Sequence, residues 1–135
     1  MSPDKARHLR EAFPALYRRA LPFGFECGDG WFDLLCTLSE ALQAEAQALG
    51  IAPGSEDYPC AVQVKSKFAS LCWYGENLSE KMQTSIQFAS EHSRRCCETC
   101  GAPGRLWARR RWYLICCDAH APSDGQPEKK VRRKV

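Results

Sequence analysis

At 135 residues, with a formal net charge of +3 and 44% hydrophobic residues, the chain is long enough to bury a real core in one domain and too short for two full domains. No stretch approaches the roughly 18 apolar residues of a membrane span, and the opening MSPDKARHLREAF has no apolar run of the kind a secretory signal needs. Nine cysteines, an odd number, cannot all pair within one chain, so free thiols in a reducing, cytoplasmic compartment are expected.

Ser2, Pro3 and Asp4 predict a helix start, because proline is tolerated in the first turn. Leu9, Phe13, Leu16, Tyr17 and Ala20 follow at helical spacing. Pro14 interrupts them by removing an amide donor and clashing with the preceding turn, so a kink or two short helices ending before Pro22 are expected. The segment GFECGDGWFDLL, Gly24 to Leu35, sets three glycines before a helix. It lacks a preceding apolar strand and a Walker lysine, and Glu26, Asp29 and Asp33 would repel a phosphate. It reads as a tight turn that delivers Trp31 and Phe32 to the core; the functional alternative is an acidic and aromatic surface, Glu26 to Phe32 with Asp29, that grips a partner.

A helix is predicted from about Trp31 to Leu49, with Trp31, Leu34, Leu35, Leu38, Leu42 and Leu49 as its apolar stripe. Asp29 is its candidate cap, and Gly50 suits the left-handed residue past its end. After the surface loop APGSEDYP, residues 52–59, the runs AVQVK and SLCWY predict two short strands joined through SKFAS. Asn77 with Glu80 suggests a capping-box-like start for a further helix, lined by Leu78, Met82, Ile86 and Ala89 and ending near Ser93.

The segments RRCCETCGAPG, residues 94–104, and ICCDAH, residues 115–120, then place five thiols and a histidine in two short clusters. Cys97 and Cys100 form a C-x2-C turn followed by Gly101, and Cys117 and His120 form a C-x2-H pair. That is the donor set of one structural zinc ion, held by four protein ligands with no open catalytic position. Cys96 and Cys116 neighbour these ligands, and a one-residue slip would exchange them; Cys97 and Cys117 are preferred because they keep the two spacings. Between the pairs, GAPGRLWARRRWYLIC accommodates a hairpin with Leu106 and Trp107 on one strand and Trp112, Tyr113, Leu114 and Ile115 on the other. Cys27, Cys36, Cys60 and Cys72 have no pair spacing and read as core fillers. His8 and His92 stand alone.

Residues 94–135 carry eleven Arg or Lys against four Asp or Glu, while residues 1–93 carry eight against twelve. The basic third, where Arg105, Arg109, Arg110 and Arg111 interleave with Trp107 and Trp112, is suited to an acidic partner: cations for phosphates, rings for bases. From Ala121 onward, APSDGQPEKKVRRKV has no apolar periodicity and reads as a disordered basic tail. Neither the H-x-E and P-C-x-x-C pattern of zinc deaminases nor the H-E-x-x-H of metalloproteases occurs, so an enzyme is not expected. The fold class is α+β: a helix and short-strand core over 1–93, a zinc-ribbon-like hairpin over 94–120 packed on it, and the tail.

Taken together, GFECGDGWFDLL, VQVKSKFASLCWY and the closing CETCGAPG with CDAH resemble a set of small uncharacterised proteins of bacteriophages and proteobacterial prophages, over about residues 13 to 120. The resemblance implies a zinc knuckle at Cys97, Cys100, Cys117 and His120, and a setting in the cytoplasm of a bacterial host cell. By analogy with small phage proteins that lack catalytic motifs, it implies binding to a host protein or nucleoprotein complex, including defence systems such as CRISPR effectors, which the chain would modulate or inhibit. The competing expectation is a nucleic-acid-binding zinc-ribbon regulator that uses the Arg- and Trp-rich hairpin and the basic tail.

Overall fold

Pro14 sets the first boundary of the computed structural model, which describes residues 1–127. Helix α1, Pro3–Ala12, stops two residues before it, because a residue preceding proline is driven out of the helical region. The chain turns instead of kinking, and a second helix does not form before Pro22. The apolar residues on both sides of the turn, Leu9, Phe13, Leu16, Tyr17 and Leu21, are nevertheless buried. Strand β1, Phe25–Glu26, and a 3-10 turn, Asp29–Trp31, lead into helix α2, Phe32–Ala48. Asp29 does not cap α2: its Oδ1 accepts from the Ser2 amide at 2.7 Å, tying the N-terminus to the glycine loop. Of the expected stripe, Trp31, Leu35, Leu38 and Leu42 are buried and Leu49 is exposed. Gly50 is left-handed, with φ +72°.

Strands β2, Cys60–Lys67, and β3, Ser70–Glu76, pair antiparallel, and β1 adds parallel to β2, giving the order β1-β2-β3. Val64 faces Trp73 on the core side. Helix α3, Glu80–Ser93, packs on β3 and α2. Its cap is Ser79, whose hydroxyl accepts from the Met82 amide at 3.1 Å. Asn77, the expected cap, is instead left-handed at φ 59° and donates its side-chain amide to the carbonyls of Glu56 and Tyr58.

Strands β4, Arg105–Arg109, and β5, Trp112–Cys116, form the expected second hairpin. Strand β6, Gln126–Pro127, adds to β4. Residues 121–127 of the expected disordered tail thus include a short strand. A turn closed by the Gly125 amide on the Pro122 carbonyl brings β6 back, and Asp124 accepts from Arg109 Nε at 2.9 Å. The remainder of the expected basic tail, 128–135, lies outside the described residues.

Inside the core a relay satisfies three buried polar groups. Trp73 Nε1 donates to Tyr17 Oη at 3.2 Å, Tyr17 and Ser39 share a 2.6 Å hydrogen bond, and the Ser39 hydroxyl donates to the Leu35 carbonyl at 2.6 Å. Tyr17→Phe strands the Trp73 N–H and one Ser39 partner, so a loss of about 1–3 kcal/mol in chemical denaturation is expected. Burial pushes the Tyr17 hydroxyl up to about 12, against the lowering pull of Ser39 and Trp73. A folded value above the ordinary 10 means that folding favours the neutral form. Its stability contribution is complete below pH 10 and declines as pH rises toward 12. The phenylalanine variant loses that part of the alkaline decline.

Candidate metal centre

The C-x2-C half is built by a short loop after α3. The Cys97 amide donates to the Ala102 carbonyl at 2.7 Å, and the Gly101 amide returns to the Cys97 carbonyl at 2.8 Å. Gly101 has φ +81°, and a Cβ there would sit 2.9 Å from the Gly30 carbonyl oxygen. The C-x2-H half follows β5. A 3-10 turn, Asp118–His120, closes with the His120 amide on the Cys117 carbonyl and swings the imidazole back onto the Cys117 thiol. The Glu98 amide bonds the Ile115 carbonyl at 2.9 Å, which joins the two halves.

One donor atom from each of Cys97, Cys100, Cys117 and His120 lies within 4.8 Å of the others. Cys100 Sγ is 3.7 Å from Cys117 Sγ, and His120 Nδ1 is 3.1 Å from Cys117 Sγ and 3.9 Å from Cys97 Sγ. Three thiols and an imidazole at these separations could hold one metal ion. Cys97 is fully buried. Burial pushes its thiol up, but the amides of Cys117, Cys100 and Thr99 outweigh it and bring it down to about 6, favouring the thiolate a metal needs.

The neighbouring cysteines are sorted by chain direction. Cys96 stays outside the cluster, its thiol 3.6 Å from the His92 carbonyl. Cys116 is buried and pairs in register with Arg105, and burial with the nearby Cys97 pushes its thiol up. Of the four expected core fillers, Cys27 and Cys60 are buried, whereas Cys36 and Cys72 are partly exposed. His8 packs edge-on against Phe32, and His92 stacks on Phe88.

The glycine loop is the platform on which this cluster rests, a role its own sequence does not announce. The Gly30 amide donates to the Glu98 carbonyl at 2.8 Å, the Gly28 amide to Glu98 Oε2 at 3.1 Å, and Trp31 Nε1 to the Cys96 carbonyl at 3.0 Å. A Cβ on Gly28 or Gly30 would run into the backbone of Glu98 or Cys97. Trp31 is fully buried. Phe32 is half-buried under Lys5, and Glu26 is exposed and accepts from Gln63 at 3.3 Å. The residues named as a partner-gripping surface thus spend much of their bonding capacity within the chain.

The remaining named residues gather on the second hairpin. Direct pairing of Trp107 with Leu114 and of Arg109 with Trp112 places Arg105, Trp107, Arg109, Trp112 and Leu114 on one face. Arg105 lies over the Trp107 ring at 5.0 Å, and Trp107 Nε1 donates to the Cys116 carbonyl. Arg105 and Arg109 also form exposed ion pairs with Asp118 and Asp124. Arg110 and Arg111 occupy the exposed turn beside Trp112, which is 73% exposed. Between α2 and α3, a groove of about 770 Å³ lined by Leu34, Leu38, Ala41, Phe88 and Ala89 ends at Cys100. No helix among the described residues is long and apolar enough to cross a membrane. No family model matches the chain, and neither a curated protein nor a solved structure was found similar to it.

Proposed function

We propose that this is a non-enzymatic zinc-binding protein of phage type that acts in the bacterial cytoplasm by binding and modulating a host macromolecule, and that its hairpin engages the nucleic acid of that partner. The zinc identity is supported by donor chemistry. Bonds of 2.0–2.3 Å to nitrogen and sulfur in a tetrahedron separate the donors by about 3.5–3.8 Å; three of the donor pairs lie at 3.1, 3.7 and 3.9 Å, near that range, and all lie within 4.8 Å of one another. The ion would be structural, with Cys97, Cys100, Cys117 and His120 filling its shell.

The observation that carries the nucleic-acid reading is the alternation of cation and ring on one face: Arg105, Trp107 and Arg109 along β4, with Trp112 directly across from Arg109. Guanidinium groups meet phosphates, and an exposed indole offers a stacking plane to any base. Exposed ion pairs such as Arg109 with Asp124 contribute little, so a phosphate can displace them. The test is binding of a fluorescent single-stranded oligonucleotide across a salt series. Affinity is expected to fall steeply with salt, and Arg110→Gln with Arg111→Gln to reduce the log–log slope by about 1.4, about 0.7 for each phosphate left without its cation. Binding that is absent at low salt removes the reading.

A second reading, with a host protein as the direct partner, is favoured by the apolar groove beside Cys100, where Phe88 is 70% exposed. It predicts a complex that survives nuclease and is weakened by Phe88→Ser, with the hairpin variants unaffected.

A further inference from the structure

The hairpin of β2 and β3 ends in a two-residue turn at Phe68 and Ala69, with φ of 51° and 60°. Such turns favour Asn and Gly, because a bulky side chain at positive φ is strained. Here the strained position holds a phenylalanine that is 78% exposed. An exposed ring in an unfavourable backbone state, with no packing that requires it, points to a purpose outside the fold.

The cations around that ring supply the chemistry. The register pairs Gln63 with Tyr74, Lys65 with Cys72 and Lys67 with Ser70, so these residues share the face opposite the buried Val64 and Trp73. Lys65 Nζ lies 5.8 Å from the Tyr74 ring, which is 43% exposed, and Lys67 Nζ lies 5.7 Å from the Phe68 ring. Arg94, at the end of α3, donates to Ser70 Oγ at 3.0 Å and adds a third cation at the same end of the hairpin. Two carboxylates share this side: Glu26, in register with Lys65 on the neighbouring strand, and Glu76, two residues along β3 from Tyr74 and already paired with Arg19 at 2.7 Å. Five residues of extended strand separate the levels of Gln63 and Phe68, a span of about 16 Å.

We propose that this face, Lys65, Lys67, Phe68, Tyr74 and Arg94, is a second binding surface for single-stranded nucleic acid, separate from the β4–β5 hairpin. Two rings at different levels stack two bases, and three cations follow the backbone between them. Single strands are selected over duplex because the rings need unstacked bases. Both two-residue hairpin tips of the molecule then share one design: a cation, a left-handed residue and an exposed ring, Lys67 with Phe68 at one and Arg109, Arg110 and Trp112 at the other. The inference rests on the nucleic-acid reading but concerns different residues.

The experiment uses the full metal-loaded chain, a fluorescent 20-nucleotide mixed-sequence single strand and a hairpin duplex of the same sequence, with anisotropy read over a salt series. Phe68→Asn is expected to weaken single-strand binding about tenfold with the salt slope unchanged. Lys65→Gln with Lys67→Gln should reduce that slope by about 1.4. Phe68, Lys65 and Lys67 are at solvent-facing positions; unchanged metal content in both variants, with melting unchanged for the lysine pair and unchanged or raised for Phe68→Asn, which relieves the positive-φ strain, confirms folding. If the wild type binds and only the β4–β5 variants weaken it, this second surface is overturned while the functional reading stands. Equal affinity for duplex overturns the stacking role of Phe68 and Tyr74. No binding by the wild type overturns both.

Discussion

Replacing Cys97 with Ser is expected to abolish metal binding and to lower stability by at least about 4 kcal/mol, roughly 12 °C or more in Tm for a domain of this size. The β4–β5 hairpin has only five residues per strand, and isolated two-stranded hairpins are marginal in water. A metal held by the four donors would tie its base to the loop after α3, and apparent zinc-binding energies of about 10–16 kcal/mol would set the upper limit of the loss. The loss stays below that limit because the bonds from Trp31 and Gly30 to Cys96 and Glu98 need no metal. Chelation of the wild type should reproduce most of the effect. Cys96→Ser, outside the cluster, should keep one metal per chain with nearly unchanged melting. Cys116→Ser, which puts a hydroxyl at a buried position, should lose about 1–2 kcal/mol and still retain the metal. Metal content and thermal melting of the three variants are the measurements. A Cys97→Ser protein that keeps its metal while Cys96→Ser loses it would place the ligands one residue earlier.

The Cys97, Cys100, Cys117 and His120 cluster is legible in the sequence because it is local. A C-x2-C turn and a C-x2-H turn are each closed by hydrogen bonds within a few residues, so spacing alone carries the information. The ambiguity with Cys96 and Cys116 is resolved by direction: Cys96 still follows the end of α3, and Cys116 still belongs to β5. Helix α2 and both hairpins are legible from periodicity for the same reason. Pro14 acts more strongly than a kink, since Ala12 marks a full stop and the apolar spacing beyond it is satisfied by a turn. Asp29 and Asn77 have the chemistry of caps but bond to Ser2 and to Glu56 and Tyr58, partners 27 and about 20 residues away. Residues 126–127 have no strand pattern of their own; β6 exists because the edge of β4 accepts it. Cap choice and edge pairing are decided by tertiary neighbours, which local pattern does not encode.

Gly30→Ala is expected to be nearly as damaging as losing a metal ligand, although it removes no donor atom. The added methyl would lie about 2.6 Å from both the Glu98 carbonyl carbon and the Gly101 amide nitrogen, and closer still to the Cys97 carbonyl oxygen. These are backbone atoms in a loop closed by its own hydrogen bonds, so they cannot rotate aside as a side-chain tip can. Either the loop lifts off the platform, breaking the Gly30–Glu98 and Trp31–Cys96 bonds, or the turn holding Cys97 and Cys100 distorts. A cost of about 3 kcal/mol or more follows from two broken hydrogen bonds and a strained, overpacked site. The metal centre should report it: with all four ligands intact, metal affinity is expected to fall at least tenfold, because the outer groups that aim the thiols have shifted. Gly54→Ala, where a methyl meets open space, is the control and should leave stability and affinity within error. If Gly30→Ala melts and binds metal like the wild type, the glycine loop is a connector that merely passes the knuckle. If it loosens the metal as expected, the GDGW segment and the cysteine cluster are two halves of one device, with Glu98 as the joint between them.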